Sequence, residues 1–278
     1  MRLTRRRLRR ALRVLVVLIV GLILASPLLY LVSGSLMSDT QINSFPPQFF
    51  PSTIEWSNFS QAWSYVEVHT ALNSVAFTAA TVCLQWALCI SGGFALAKLR
   101  FRGRATATVV LGLSLFVPII TTLVPTFVVT DKLHLLNTYP GLIIPIAAQT
   151  GFGTLLFRQF IVNLPTELID AARLDGAHWR RILRRIIIPL AKPATGAYAA
   201  ISVLTAWNMY LWPLVVASKP SVEVLTETLA PLASNAYGGG IPENVGFAAT
   251  LLTTLPMIVA FLVAQKAFIR QLSGSGVE

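Results

Sequence analysis

The run from Val14 to about Val32 is the first of several apolar stretches that approach or exceed the ~20 residues a helix needs to cross a bilayer. No other feature constrains this chain as tightly, because backbone inside hydrocarbon has to satisfy its own hydrogen bonds. Composition agrees: 55 % of residues are hydrophobic, 12 % are charged and the mean hydropathy is +0.69, whereas soluble chains run near a quarter charged. The runs are spread along all 278 residues, so one integral membrane domain is expected rather than one or two soluble ones.

Six spans are expected. Residues 1–13 form a basic N-terminus (Arg2, Arg5, Arg6, Arg7, Arg9, Arg10, Arg13) ahead of the first span, 14–32. A basic start before an apolar run can be a secretory or twin-arginine signal, but this run is long for a signal core and no small-x-small cleavage site follows it. Residues 33–70 hold Asp39, Glu55 and Glu67, no Lys or Arg, and many aromatics, which reads as an external loop. The core, 71–270, contains spans at about 71–97, 105–130, 140–157, 193–217 and 245–265, and residues 271–278 are a short tail. Prolines interrupt several spans (Pro118, Pro125, Pro145, Pro256), which is tolerated where neighbours or a cavity meet the freed carbonyls.

Charge gives an independent test of this topology. With six spans and the N-terminus inside, 20 of the 22 Lys and Arg fall on the inner side, and only Lys132 and Lys219 lie outside. That asymmetry places both termini in the cytoplasm. It also explains the net charge of +11 without nucleic acid. The scattered His69, His134 and His178 have no neighbours at ligand spacing, so no metal site is expected. Cys83 and Cys89, six apart in one apolar run, face different ways on a helix and are expected as buried, reduced residues.

Between the fourth and fifth spans lies a polar stretch, 164–189, LPTELIDAARLDGAHWRRILRRIIIP. At 100° per residue, Leu164, Leu168, Ala171 and Ala172 share one side of a helix running to Asp175, with Pro165 suited to its first turn. Gly176 marks a turn. Beyond it, Trp179, Ile182, Leu183 and Ile186 share a face opposite Arg180, Arg181, Arg184 and Arg185.

Asp170-Ala171-Ala172, then Gly176, Ile186, Ile188 and Pro189, matches in spacing a cytoplasmic loop motif: Glu-Ala-Ala, three residues, Gly, nine residues, Ile, one residue, Leu-Pro. The chain therefore resembles the permease subunits of binding-protein-dependent ABC importers. Asp170 stands for Glu and Ile188 for Leu. Asp175-Gly176-Ala177 has the form usual in the carbohydrate-uptake class, of the maltose and glycerol-3-phosphate type. The resemblance extends to Leu136-Asn137-Thr138, Ala206-Trp207-Asn208 and the end at Gly274. It implies the type I permease fold, all-α, in a bacterial or archaeal cytoplasmic membrane, with a helix-turn-helix coupling loop. It also implies docking of a cytoplasmic ABC ATPase dimer at Asp170, Ala171, Ala172, Asp175, Gly176, Ala177, Ile186 and Pro189. The remaining partners implied are a second homologous permease, an extracytoplasmic solute-binding protein and membrane lipids; no cofactor is.

Other functions fit less well. A self-sufficient secondary transporter with proton coupling usually carries ionisable groups within its spans, and these spans have none away from their ends. A membrane enzyme would need a nucleophile, a metal or an acid–base pair, and no GxxxxGK phosphate loop is present. Gln149, Asn208, Thr121, Thr122 and Thr126 are the polar groups placed to line a pathway for hydroxyl-rich substrates; each could equally join helix to helix.

Overall fold

The computed structural model describes residues 2–228 and 241–274, with side chains from 12 to 228 and from 241 to 259, and contains no strand among them. The glycine run 238–240 and the last residues of the tail, 275–278, lie outside the described residues. Two helices are individually long and apolar enough to cross a membrane, Leu12–Gly34 and Val68–Lys98. Three bent pairs raise the number to five, and Glu243–Val259 is a shorter apolar helix.

The chain divides into two compact units, Met1–Glu67 with Leu229–Leu255, and Val68–Thr228 with Pro256–Glu278. In the first unit the helix Arg2–Gly34 shows apolar side chains on all sides: Val17 is 69 % exposed and Leu24 74 %. Pro27 lies inside it and cannot bond the Ile23 carbonyl, and Ser26 Oγ donates to that carbonyl at 2.7 Å instead. The segment expected as a loop contains two helices, Asp39–Ile42 and Ser57–Tyr65. Buried Asn58 holds it together, its Nδ2 donating to the carbonyls of Ser35 (2.9 Å) and Met37 (2.8 Å). Asn244 Nδ2 donates to Asn58 Oδ1 at 3.0 Å and so ties in the start of the helix Glu243–Gly274.

In the second unit the Val68–Lys98 helix is the axis. Small residues let the Gly151–Val162 helix approach it closely. A Cβ on Gly93 would lie 2.7 Å from Phe157 Cβ, and one on Gly153 would lie 2.5 Å from both Cys89 Sγ and the Tyr198 ring. Ile90, Phe94, Phe157, Ile161, Ile182, Ile187 and Tyr198 form the core there. Cys89 is buried, but Cys83 is exposed, contrary to expectation, because it sits on the outward face of this helix. A second core gathers Phe77, Leu142, Trp212, Val216 and Val224.

The expected third and fourth spans are bent, and the fifth is interrupted. Arg104–Ser114 meets Ile119–Lys132 at 106°, because Pro118 is extended (ψ 134°) and has no N–H with which to continue the helix. Tyr139–Ala147 meets Gly151–Val162 at 47°, and Gln85 Nε2, from the long helix, donates to the Gln149 carbonyl freed at the break, at 2.9 Å. The helix Lys192–Trp207 stops at Asn208, and a separate helix, Leu211–Val216, follows. Asn137, at φ 59°, accepts from the Lys219 N–H at 2.9 Å, and Thr138 caps the next helix through the Gly141 N–H. Asn73 Nδ2 donates to the carbonyls of Ser221 and Glu223 while its Oδ1 accepts from Tyr139 Oη at 2.6 Å. Ser74 Oγ accepts from the Leu225 N–H at 2.7 Å. The Asn73-Ser74 pair thus pins segment 218–228 onto the long helix.

Candidate functional site

Two regions of the second unit carry the chemistry. The first is the polar stretch. Its leading helix is Glu167–Leu174, so Pro165 precedes the first turn rather than joining it. Glu167 and Asp170 lie in the first turn and Arg173 in the last, which suits the helix dipole. The buried residue is Ile169, 5 % exposed; Leu168, expected on the inner side, is 47 % exposed. Leu164 and Ala172 pack against the core, whereas Ala171 faces out. The side facing the core is therefore rotated by about one residue from the one the apolar spacing suggested.

The helix ends in a Schellman turn. The Ala177 N–H reaches the Ala172 carbonyl at 2.9 Å and the Gly176 N–H reaches that of Arg173 at 3.0 Å, with Gly176 at φ 75°. Asp170, Ala171, Leu174, Asp175 and Gly176 are all exposed around this tip, Leu174 at 90 %.

The following helix begins at Trp179 and opens into a π turn over Leu183–Ile187. The cause is Pro189, whose missing N–H leaves the Arg185 carbonyl without its usual partner; the Ile188 N–H bonds Leu183 five residues back instead. The extra residue shifts the inward position from Ile186 to Ile187. Ile182 and Ile187, five apart, are both fully buried, while Ile186 is only half-buried. Arg180, Arg181, Arg184 and Arg185 are exposed, as the amphipathic pattern requires. Lys98 Nζ donates to the Leu164 carbonyl at 3.2 Å, joining the end of the long helix to the start of the stretch.

The second region is a cleft of about 340 Å³ lined by residues of four elements, among them Thr122, Thr126, Gln149, Thr205, Asn208, Tyr210 and Trp212. Of the candidates singled out in the sequence, Thr122, Thr126, Gln149 and Asn208 meet here. Thr121 does not, and its hydroxyl donates to the Pro118 carbonyl at 2.7 Å. Thr205 joins from the end of the helix Lys192–Trp207, and Tyr210 and Trp212 join because the chain breaks after Asn208. Several hydroxyls are occupied locally: Thr122 donates to the Ile119 carbonyl and Thr205 to that of Ile201, both at 2.9 Å. Asn208 Nδ2 donates to the Leu204 carbonyl at 2.9 Å. Trp212 Nε1 is tied to the Leu142 carbonyl at 3.1 Å. Among the described residues no charged side chain lines the cleft. It can hydrogen-bond neutral groups and pack against apolar ones. Among the described residues no cluster of His, Cys, Asp and Glu could hold a metal.

Residues 89–274 match the family of binding-protein-dependent transport system inner membrane components. The chain belongs to that family. The permease is 31 % identical, over 94 % of its length and 95 % of the relative's, to the sn-glycerol-3-phosphate transport system permease protein UgpE of Yersinia pestis. It is 32 % identical, over 93 % of each chain, to the arabinooligosaccharides transport system permease protein AraQ of Halalkalibacterium halodurans. Its fold matches a chain of a bacterial ABC transporter involved in import of the acidic polysaccharide alginate, with TM-score 0.80 and 24 % identity over 94 % of this chain and 96 % of that one. It also matches a chain of the MetNI methionine ABC transporter in an inward-facing conformation, with TM-score 0.57 and 17 % identity over 73 % and 95 %. This is the ABC importer type I permease fold, and the protein is a transport subunit of the inner membrane rather than an enzyme. A permease of this family works with a separate ATPase and a solute-binding protein.

Proposed function

We propose that this permease forms half of a transmembrane pathway for a sugar or a related polyol or glycerophosphate, together with a second homologous permease. It crosses the membrane six times with both termini in the cytoplasm. The cytoplasmic ATPase dimer docks on Asp170, Ala171, Ala172, Asp175, Gly176 and Ala177, with Ile186 and Pro189 shaping the helix behind them. The observation that carries this reading is the exposed tip of Glu167–Leu174, charged and apolar side by side, on a helix anchored by buried Ile169. An exposed Leu beside carboxylates and a bare glycine turn offers a protein cleft apolar, charged and close backbone contacts on one tip. The relatives' names support the substrate class, and the cleft at Thr122, Gln149 and Asn208 supports a route for neutral, hydroxyl-bearing groups.

In this mechanism ATP closes the ATPase pair and carries the docked tips inward, and the spans re-expose the pathway to the outside. The bias comes from contacts that differ between the open and closed ATPase, as any population shift requires. The test combines assembly with topology. The tagged permease should co-purify an ATPase and a second permease. In a background without Cys83 and Cys89, an impermeant thiol reagent added outside should label a cysteine at Ser57 or Ser234 and spare one at Arg102 or Arg181. Reversed labelling overturns the topology, and purification without an ATPase overturns the function.

A further inference from the structure

Three residues outside the loop motif join the ATPase-facing helix to the membrane-spanning core. Arg173, in the last turn of Glu167–Leu174, places its guanidinium carbon 4.6 Å from the centre of the Trp179 ring. The same indole meets Phe94 of the long helix edge-on, with centroids 5.9 Å apart and planes at 63°. Trp179 opens the second helix of the coupling segment, so one half-buried ring touches a cation from the first helix on one side and a ring from the long helix on another. Among the described residues Arg173 has no ion-pair partner, although Asp170 and Asp175 are near in sequence; the indole is its observed contact. Arg suits this role because its planar guanidinium stacks on an aromatic face, whereas Lys is a compact, strongly hydrated charge.

The inner side of the joint is packed, with Ile169 and Ile182 buried in one core and Ala172 and Ala177 against it, whereas its outer side is open. Around Gly176 a Cβ would find nothing within 4 Å. There a groove of about 280 Å³ runs between the two helices, lined by Ala172, Asp175, Ala177, Arg181, Ile182 and Arg185 among others. The Schellman hydrogen bonds close the turn, but they bridge only the residues next to it. The angle between the helices therefore depends on side chains beyond the turn.

We infer that the Arg173–Trp179–Phe94 stack fixes that angle and makes the coupling helix and the long helix move as one body, with Trp179 a positioning residue for transport. The inference rests on the reading that the tip receives the ATPase, but the stack itself can be tested without nucleotide. Spin labels at Leu168 and Leu88, both exposed (47 % and 46 %), would be placed in the permease complex with its ATPase, in nanodiscs, with Cys83 and Cys89 replaced. The Leu168–Leu88 distance should be a single narrow distribution, unchanged between the nucleotide-free and MgATP–vanadate states.

Trp179→Leu should make the nucleotide-free distribution about twofold broader, because loss of the ring removes its contacts with both Arg173 and Phe94 and frees a local mode. Arg173→Gln, a surface change, should broaden it in the same direction, and Trp179→Phe should restore the narrow form. An unchanged width in both Trp179→Leu and Arg173→Gln, or equal widths for Leu and Phe at 179, overturns the inference. Docking is read separately from ATPase retained on the membrane. Retention in Asp170→Lys would remove the docking reading while leaving the nucleotide-free widths to judge the stack.

Discussion

The proposed coupling segment is one continuous piece of chain with its charges turned outward, whereas the cleft is assembled from four elements and, among the described residues, lined by no charge. The two therefore differ in how a substitution propagates. At the exposed tip a side chain contributes nothing to the core, so a change there spares folding and removes whatever docks. In the cleft each polar group contributes one hydrogen bond among several, so losses should be graded.

The largest expected effect lies at the tip. Gly176→Trp and Asp170→Lys should leave the permease inserted at normal levels while uptake and binding-protein-stimulated ATP hydrolysis fall to background in reconstituted vesicles. At Gly176 the left-handed φ of 75° strains any other residue; at Asp170 the sign of an exposed charge reverses. Normal uptake in both variants would dissolve the contrast, since the tip would then be as tolerant as any surface.

Gly153→Val tests the packed layer near both regions. The added carbons meet Cys89 and Tyr198 at 2.5 Å, and overpacking of this kind costs roughly 1–3 kcal/mol. Folded permease recovered in detergent should drop, with a lower melting temperature. Full recovery would mean that the helices around Cys89 and Tyr198 can separate at little cost. In the cleft, Gln149→Leu and Asn208→Leu should slow uptake by about threefold each, the worth of a typical hydrogen bond within a membrane protein, with assembly and ATPase coupling kept. A complex that falls apart instead would make these residues joints between helices and remove the cleft from the pathway.

How much of this was legible in the sequence follows from the same contrast. The coupling segment's turn and its arginine face could be read because local spacing determines them, and Gly176 announced the left-handed turn. Ile169 and Ile187 could not be read, because a uniform 100° step assumes an unbroken α-helix. Pro189 was the signal for the π turn, since its missing N–H strands a carbonyl within the preceding turn. Pro118 likewise marked a break but gave no angle. In the cleft, Gln149, Asn208 and Thr122 stood out as polar groups in apolar runs. Tyr210 and Trp212 did not, because their placement depends on the chain stopping at Asn208, whereas Thr205 carried the same signal, a hydroxyl in an apolar run, from the helix before that stop. Gln85 was equally visible as a polar residue in a span, yet its partner is the backbone bared by a bend elsewhere.

The smallest effect expected concerns segment 218–228, which Thr226 Oγ1 ties to the cleft-lining Met209 carbonyl at 2.8 Å. Pro213 leaves that carbonyl without its helical partner, so the threonine completes the bend. Glu227 follows it, 8 % exposed, and burial pushes its carboxyl from an ordinary 4.5 up to about 7, with the nearby Glu223 charge adding to the rise and the Val224 N–H opposing it. The folded protein thus binds more protons than the unfolded chain between those two values. Stability must therefore fall as pH rises through that window. Glu227→Gln keeps the shape and an oxygen for the Val224 N–H but cannot ionise. It should match the native protein at pH 5 and exceed it at pH 8 by on the order of 1 kcal/mol, because each pKa unit is worth about 1.4 kcal/mol and water at the outer surface relaxes part of the cost. Melting temperatures of the solubilised complex at the two pH values decide the matter. Parallel pH curves for the two proteins would show that Glu227 ionises freely in place, and that the rim of the cleft is as open to water as the tip of the coupling segment.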